Sequence, residues 1–163
     1  AIAFGRALGA QVVAVDISRT ALELAAAVGA DVLLDASTVD DVGTAVFDLV
    51  GGAHVSVECL GSAVTATNSV LSLRPLGRHV QIGLFPAATA DFPISRVIRD
   101  ELEVLGVHGL SASRIPQVLA MVADGRLDPT AVVHQRLSLA DIPEALPAMA
   151  RFAAPGVSLV TRF

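Results

Sequence analysis

Asp16 closes a short β-branched run made by Val12, Val13 and Val15, and Ser18, a residue suited to capping a helix, follows it. An acidic residue ending the second strand of a dinucleotide fold accepts hydrogen bonds from the adenosine ribose hydroxyls. It also repels a 2′-phosphate, which favours NAD over NADP. The plainer reading is a carboxylate that caps the next helix, because acidic strand ends are common in α/β proteins. A glycine fingerprint for the diphosphate belongs about 20 residues before such an acid, and counting back from Asp16 runs past Ala1. Residues 1–8 are therefore expected to be the remainder of the helix whose N-terminus cradles the pyrophosphate. The lack of GxGxxG carries no weight against the fold.

The other reactive residue types are spread thinly. Cys59 ends an apolar strand with no partner motif, so we expect a small buried hydrophobe rather than a nucleophile. A single cysteine cannot form an internal disulfide and suits a reducing compartment, so a cytoplasmic location is expected. Cysteines of this chain cannot build a zinc site either. His54, His79, His108 and His134 lie in separate segments without HxxxH or HxxE spacing, and no metal cluster is expected from them. Asp40 and Asp41 fall where the first turn of a helix favours acids. Glu58 is expected to find its polar partner outside this chain, or else to face solvent at its strand end.

The elements that must hold these residues alternate. Strands are expected over residues 12–16, 32–34, 55–58, 79–82 and 102–107, and helices over 2–8, 19–28, 38–50, 64–73 and 94–100. Gly9, Gly29 and the pair Gly51-Gly52 stand where helices end. Strands and helices at this spacing predict βαβ units and a doubly wound parallel α/β sheet. Past Gly109 the rhythm changes: a helix over 115–123, a strand over 132–137, a Pro-bearing helix from 141 and a strand over 157–160 are expected. Hydrophobic residues make up 53% and charged residues 17%, which fits buried strands and packed Ala-rich helices. No apolar run approaches the ~20 residues of a membrane span. The net charge of -5 and the lack of any Lys/Arg cluster argue against a nucleic-acid partner.

The stretch ALGAQVVAVDISRTALELAAAVGADVLLDAS resembles the segment that follows GxGGVG in the medium-chain, zinc-type alcohol dehydrogenases. VSVECLGS, LSLRPLGRHVQIGL and ELEVLGVHG are similar to that family's next three segments, in order. The ending GRLDPTAVVHQRLSLADIPEALPAMARFAAPGVSLVTRF is similar to its closing helix and strand, so the resemblance covers essentially the whole chain. It implies a Rossmann-like doubly wound parallel sheet lacking its first, central strand, with strands beside the gap left unpaired. It also implies a division into a partial NAD-binding domain over 1–108 and a segment over 109–163 that packs with a catalytic domain outside this chain.

By the same resemblance Asp16 matches the ribose-binding carboxylate, and Arg19 sits where a basic residue flanks the adenosine. Leu60 and Gly61 match a turn that passes close to the cofactor, where a residue without Cβ allows close approach. Ile82, Gly83 and Leu84 match a strand end whose backbone holds the nicotinamide carboxamide, and Val107 matches a second backbone contact. The side chains of Ile82, Leu84 and Val107 are expected as buried core residues, with the contact resting on main-chain groups. His108 adjoins that contact. Where many relatives carry an arginine to the pyrophosphate, this chain has Ser158, and Arg162 is out of register. The resemblance implies NAD as cofactor, a small alcohol or carbonyl substrate, and a homodimer or homotetramer. It implies zinc held only by the N-terminal part outside this chain, and no catalytic residue here. A zinc-free quinone reductase-like enzyme and a non-catalytic truncated remnant are the alternatives. A methyltransferase, which LRPLGRHV would suit, is disfavoured by the dehydrogenase-like tail.

Overall fold

The computed structural model describes residues 1–85, 92–149 and 155–163. The part of the closing stretch at 150–154 lies outside them. In chain order the first elements are α1 (Ile2–Ala7), β1 (Val13–Asp16), α2 (Arg19–Ala27), β2 (Val32–Asp35), α3 (Val42–Val50) and β3 (Ala53–Glu58). They continue with α4 (Ala63–Leu71), β4 (Leu73–Gln81), α5 (Ile94–Arg99) and β5 (Glu103–Gly106). The last are α6 (Ile115–Ala123), β6 (Val133–Ser138), α7 (Ile142–Met149) and β7 (Val157–Arg162). Every strand pair among the described residues is parallel, which the alternating pattern predicts for β1 to β5.

The chain forms two compact units, Ala1–Ser37 with Ala112–Phe163, and Thr38–Ser111. In the first, β1 pairs with β2 in a register that sets Asp16 opposite Asp35. Ala14, Leu22 and Ala25 form its core, with Ile2 and Ala30 packed against them. Ser18 caps α2 as its sequence position suggests, its side chain accepting from the Ala21 N–H. β6 and β7 make a second parallel pair in this unit.

In the second unit the sheet order is β3-β4-β5. Val70, Leu73 and Leu102 form the core, flanked by Ala53, Phe92 and Val97. α4 packs on β3 and β4, and α3 packs on α4. The helix expected over 38–50 begins only at Val42, because Asp41 is its N-cap and accepts from the Thr44 N–H. Gly51, in the left-handed region at φ 70°, ends it.

β4 departs most from expectation, starting at Leu73 rather than at residue 79. Leu73 pairs with Ala53, and the ladder resumes with Arg78 opposite Val55, so residues 74–77 bow out of register. Pro75 has no N–H to give a ladder, and Leu76 turns to φ 61°. The Leu76 N–H then donates to the Asp100 carbonyl at 2.8 Å. The Arg96 guanidinium closes the arch from the other side, donating to the Leu73 carbonyl at 2.7 Å. β4 and β5 also stop one residue short of expectation, leaving Ile82 and Val107 just beyond their strands.

Candidate functional site

Ser56 lies opposite His79, and Glu58 opposite Gln81, in the parallel β3–β4 ladder. Two-residue alternation puts these four side chains on one face of the sheet, the face that α4 covers. Ser56, Glu58 and His79 are buried, while Val55 and Val57 on the opposite face are exposed. The strand thus turns its polar residues inward.

Glu58 is the centre of the arrangement. Its Oε1 accepts from the Leu60 N–H and the Gly61 N–H, each at 2.9 Å, and from Thr65 Oγ1 at 2.7 Å. Its Oε2 accepts from the Gly61 N–H at 3.0 Å and from Gln81 Nε2. The expectation that Glu58 looks outside the chain for a partner is corrected: only 3% of the residue is exposed, and these partners are its own neighbours. The physical reason is the reversal immediately after β3, which aims successive N–H groups back at the strand end in an anion-binding concavity. Burial pushes the carboxyl pKa up, but the bonds from Thr65, Gly61, Leu60 and Gln81 outweigh it and hold the group below its ordinary value.

Two turns meet above this carboxylate. Gly61 is at φ 86°, and a Cβ there would lie 2.1 Å from the Leu84 carbonyl oxygen. A Cβ on Gly83 would lie 2.1 Å from the Gly61 nitrogen and 2.6 Å from Glu58 Oε2. The nearest reason for these glycines is therefore backbone packed on backbone within the protein.

The strand ends gather Leu60, Gly61, Ile82, Gly83, Leu84 and Val107 at the carboxyl edge of one parallel sheet. Ile82 is 43% exposed, Leu84 81% and Val107 44%, which corrects the expectation of buried core side chains. Each lies past the end of its strand, where the flanking strand has ended too. Their N–H groups are largely engaged: Ile82 and Gly83 donate to the Glu58 carbonyl at 2.8 and 3.1 Å, and Val107 donates to the Gln81 carbonyl at 3.0 Å. Cys59 is exposed as well, not buried as expected, because Glu58 takes the inward position and sets its successor outward. Desolvation around the sulfur and the adjacent Glu58 charge both push its thiol pKa up.

Asp16 and Arg19 belong to the first unit. Asp16 Oδ1 accepts from the Ser18 N–H at 2.8 Å, and Oδ2 has no partner among the described residues. Arg19 pairs with Glu23 at 3.1 Å on the surface of α2. Ser158, in β7, accepts from Gln135 Nε2 at 3.0 Å. Sequence reasoning missed His79, Gln81 and Thr65. The available signal was the polar alternation Ser56–Glu58 beside His79–Gln81, visible once the two strands are set in register.

A cavity of about 240 Å³ lined by Thr44, Phe47, Leu71, Arg96 and Arg99 contains none of the candidate residues. Both of its arginines are paired with Asp100. No three His, Cys, Asp or Glu among the described residues are grouped to hold a metal ion.

A family model described as zinc-binding dehydrogenase matches residues 1–124. An alcohol dehydrogenase of Geobacillus stearothermophilus is 27% identical over 87% of this chain, which spans 42% of that protein. An erythritol/L-threitol dehydrogenase of Mycolicibacterium smegmatis is 31% identical over 83% of the chain and 38% of its own length. Among solved structures, an NAD-dependent alcohol dehydrogenase superposes with a TM-score of 0.87 at 28% identity, covering 98% of this chain and 46% of its own. An alcohol dehydrogenase from Thermus sp. ATN1 gives 0.86 at 29% identity, with 99% and 47% covered. The parallel α/β fold is the Rossmann-like fold of these structures.

Proposed function

This chain belongs to the zinc-binding dehydrogenase family, and from that membership we propose that it is the NAD-binding half of an alcohol oxidoreductase. The observation that carries the reading is Asp16, a carboxylate at the end of a parallel strand whose Oδ2 has no partner among the described residues. Such a group is suited to the ribose hydroxyls of NAD and hostile to the extra phosphate of NADP. Arg19 flanks the adenosine.

Taken by itself, the second unit carries the residues that the resemblance matches to the nicotinamide: Leu60, Gly61, Ile82, Gly83, Leu84 and Val107. Exposed apolar side chains of Leu60, Ile82, Leu84 and Val107 offer a surface for the ring. Because the N–H groups of Ile82, Gly83 and Val107 are committed within the sheet, the carboxamide NH2 would donate to main-chain carbonyls of Ile82 and Val107. Bound NAD supplies the acceptor for a hydride; this chain binds and orients it. Residues 1–108 form the partial cofactor domain, and 109–163 pack with a catalytic domain outside the chain.

The whole protein interconverts a small alcohol and its carbonyl partner, in the cytoplasm, as a homodimer or homotetramer. Zinc, where that protein uses it, polarises the substrate oxygen. By the family resemblance, its ligands belong to the N-terminal part outside this chain.

Titration of NADH and NADPH into the full-length protein tests the reading. Wild type should prefer NADH, and Asp16→Ala should weaken NADH binding roughly ten- to hundredfold while narrowing the preference. Full-length protein that binds neither nucleotide, or an Asp16→Ala variant with both affinities unchanged, overturns it.

A further inference from the structure

We propose that His79 and Gln81 are positioning residues for the nicotinamide end of the cofactor, acting through Glu58 to set the Leu60–Gly61 turn against the backbone of Gly83. The inference rests on the cofactor reading above, and it assigns work to two side chains that touch no ligand.

The hydrogen bonds have one consistent direction. Gln81 Nε2 carries two protons, and both are used: one goes to Glu58 Oε2 and the other to the Gly83 carbonyl at 2.8 Å. Gln81 Oε1 is left as an acceptor, so His79 Nε2, 3.0 Å away, must be the donor. On its other side His79 Nδ1 is within hydrogen-bond distance of the hydroxyls of Ser69, at 3.1 Å, and Ser56, at 3.3 Å. His79 is fully buried, and its ring lies 5.9 Å from that of Phe92.

The same directions explain why both residues are needed. A flipped Gln81 amide would set its carbonyl oxygen against the Glu58 carboxylate and leave the Gly83 carbonyl without its donor. The His79 Nε2–H disfavours that flip by requiring an acceptor on its side. Correctly oriented, Gln81 ties the end of β4 to Glu58, and Glu58 ties the Leu60–Gly61 turn to the same point. There is little slack at that junction, because Gly61 and Gly83 already pack backbone on backbone. Loss of the amide or of the histidine donor would shift the two turns relative to each other.

A core histidine with a purely structural part would, when removed, weaken every ligand together. A positioning residue affects only the ligand part it positions. ADP-ribose provides the contrast, since it lacks the nicotinamide. Equilibrium binding of NADH and ADP-ribose to the full-length protein should show NADH weakened about fivefold or more in Gln81→Met and His79→Leu, with ADP-ribose changed by less than about twofold. His79→Gln keeps an N–H donor near the place of Nε2 and should recover most of the loss. If His79→Leu fails to fold, the half-buried Gln81→Met carries the test. Parallel losses for both ligands, no loss for either, or a His79→Gln variant as impaired as His79→Leu overturns the inference while leaving the cofactor reading intact. Wild-type protein that binds neither ligand overturns both.

Discussion

At the scale of single residues, Glu58 does what two opposed influences allow. Burial disfavours its charge, yet donors from the turn after β3, from Thr65 of α4 and from Gln81 of β4 hold its pKa down. Its pKa in the folded protein lies below the ordinary glutamate value of 4.5. The stabilisation is therefore complete above the unfolded value and is lost as pH falls through the folded one. Glu58→Gln cannot accept on both terminal atoms, and at neutral pH it should lower the stability of the full-length protein by about 1–3 kcal/mol in urea titrations. The gap to wild type should narrow below about pH 4.5; a gap independent of pH would contradict the assignment. The glycines give a sharper contrast. Gly83→Ala brings a methyl within 2.1 Å of backbone and should cost about 1–3 kcal/mol. Gly106 has no atom within 4 Å of its would-be Cβ, so Gly106→Ala should stay within about 0.5 kcal/mol. Equal effects at the two positions would show that the tight junction is not what constrains them.

At the scale of elements, local rules were legible and packing was not. Ser18 and Gly51 announced their helix ends because a cap depends only on a few neighbouring residues. Ser18→Ala should accordingly cost about 1 kcal/mol, and Ser18→Asp, which keeps an acceptor, should recover it. Chemical denaturation of the full-length protein checks both, and an Ala variant as stable as wild type would remove the cap from the account. The start of β4 was hidden for a different reason. Pro75 cannot donate to a ladder, yet Leu73 before it still pairs with Ala53 and enters the core. The roles of Thr65 and Gln81 were equally hidden, since they depend on which face of β3 lies under α4. Alternation gives the period of a strand, but the covering element decides which half of it is inside. The same gap accounts for Cys59, expected inside and found exposed.

At the scale of the molecule, the parallel α/β fold and the family were legible from ordered segments along the whole chain. What the chain does by itself follows from its surfaces. Among the described residues, the β1-β2 pair and the β3-β4-β5 sheet each end in two outer edges that no further strand pairs. Val15, Leu33, Val55 and Val57 are all at least 40% exposed. Free edges beside apolar faces favour strand-to-strand association. Produced alone, this chain should therefore elute as a distribution of associated species and melt without a sharp transition, with no turnover of alcohols. Size-exclusion chromatography with light scattering, and thermal circular dichroism, decide it; a monodisperse monomer with a cooperative melt would refute it. In the full-length protein, the carboxylate beneath the two turns also sets a rhythm of amide exchange. Loop amides ordinarily trade their protons for deuterium quickly. Here the Leu60 and Gly61 amides are held by a buried anion, and the turn should exchange as slowly as the strands it joins, remaining dark while the loops around it take up label.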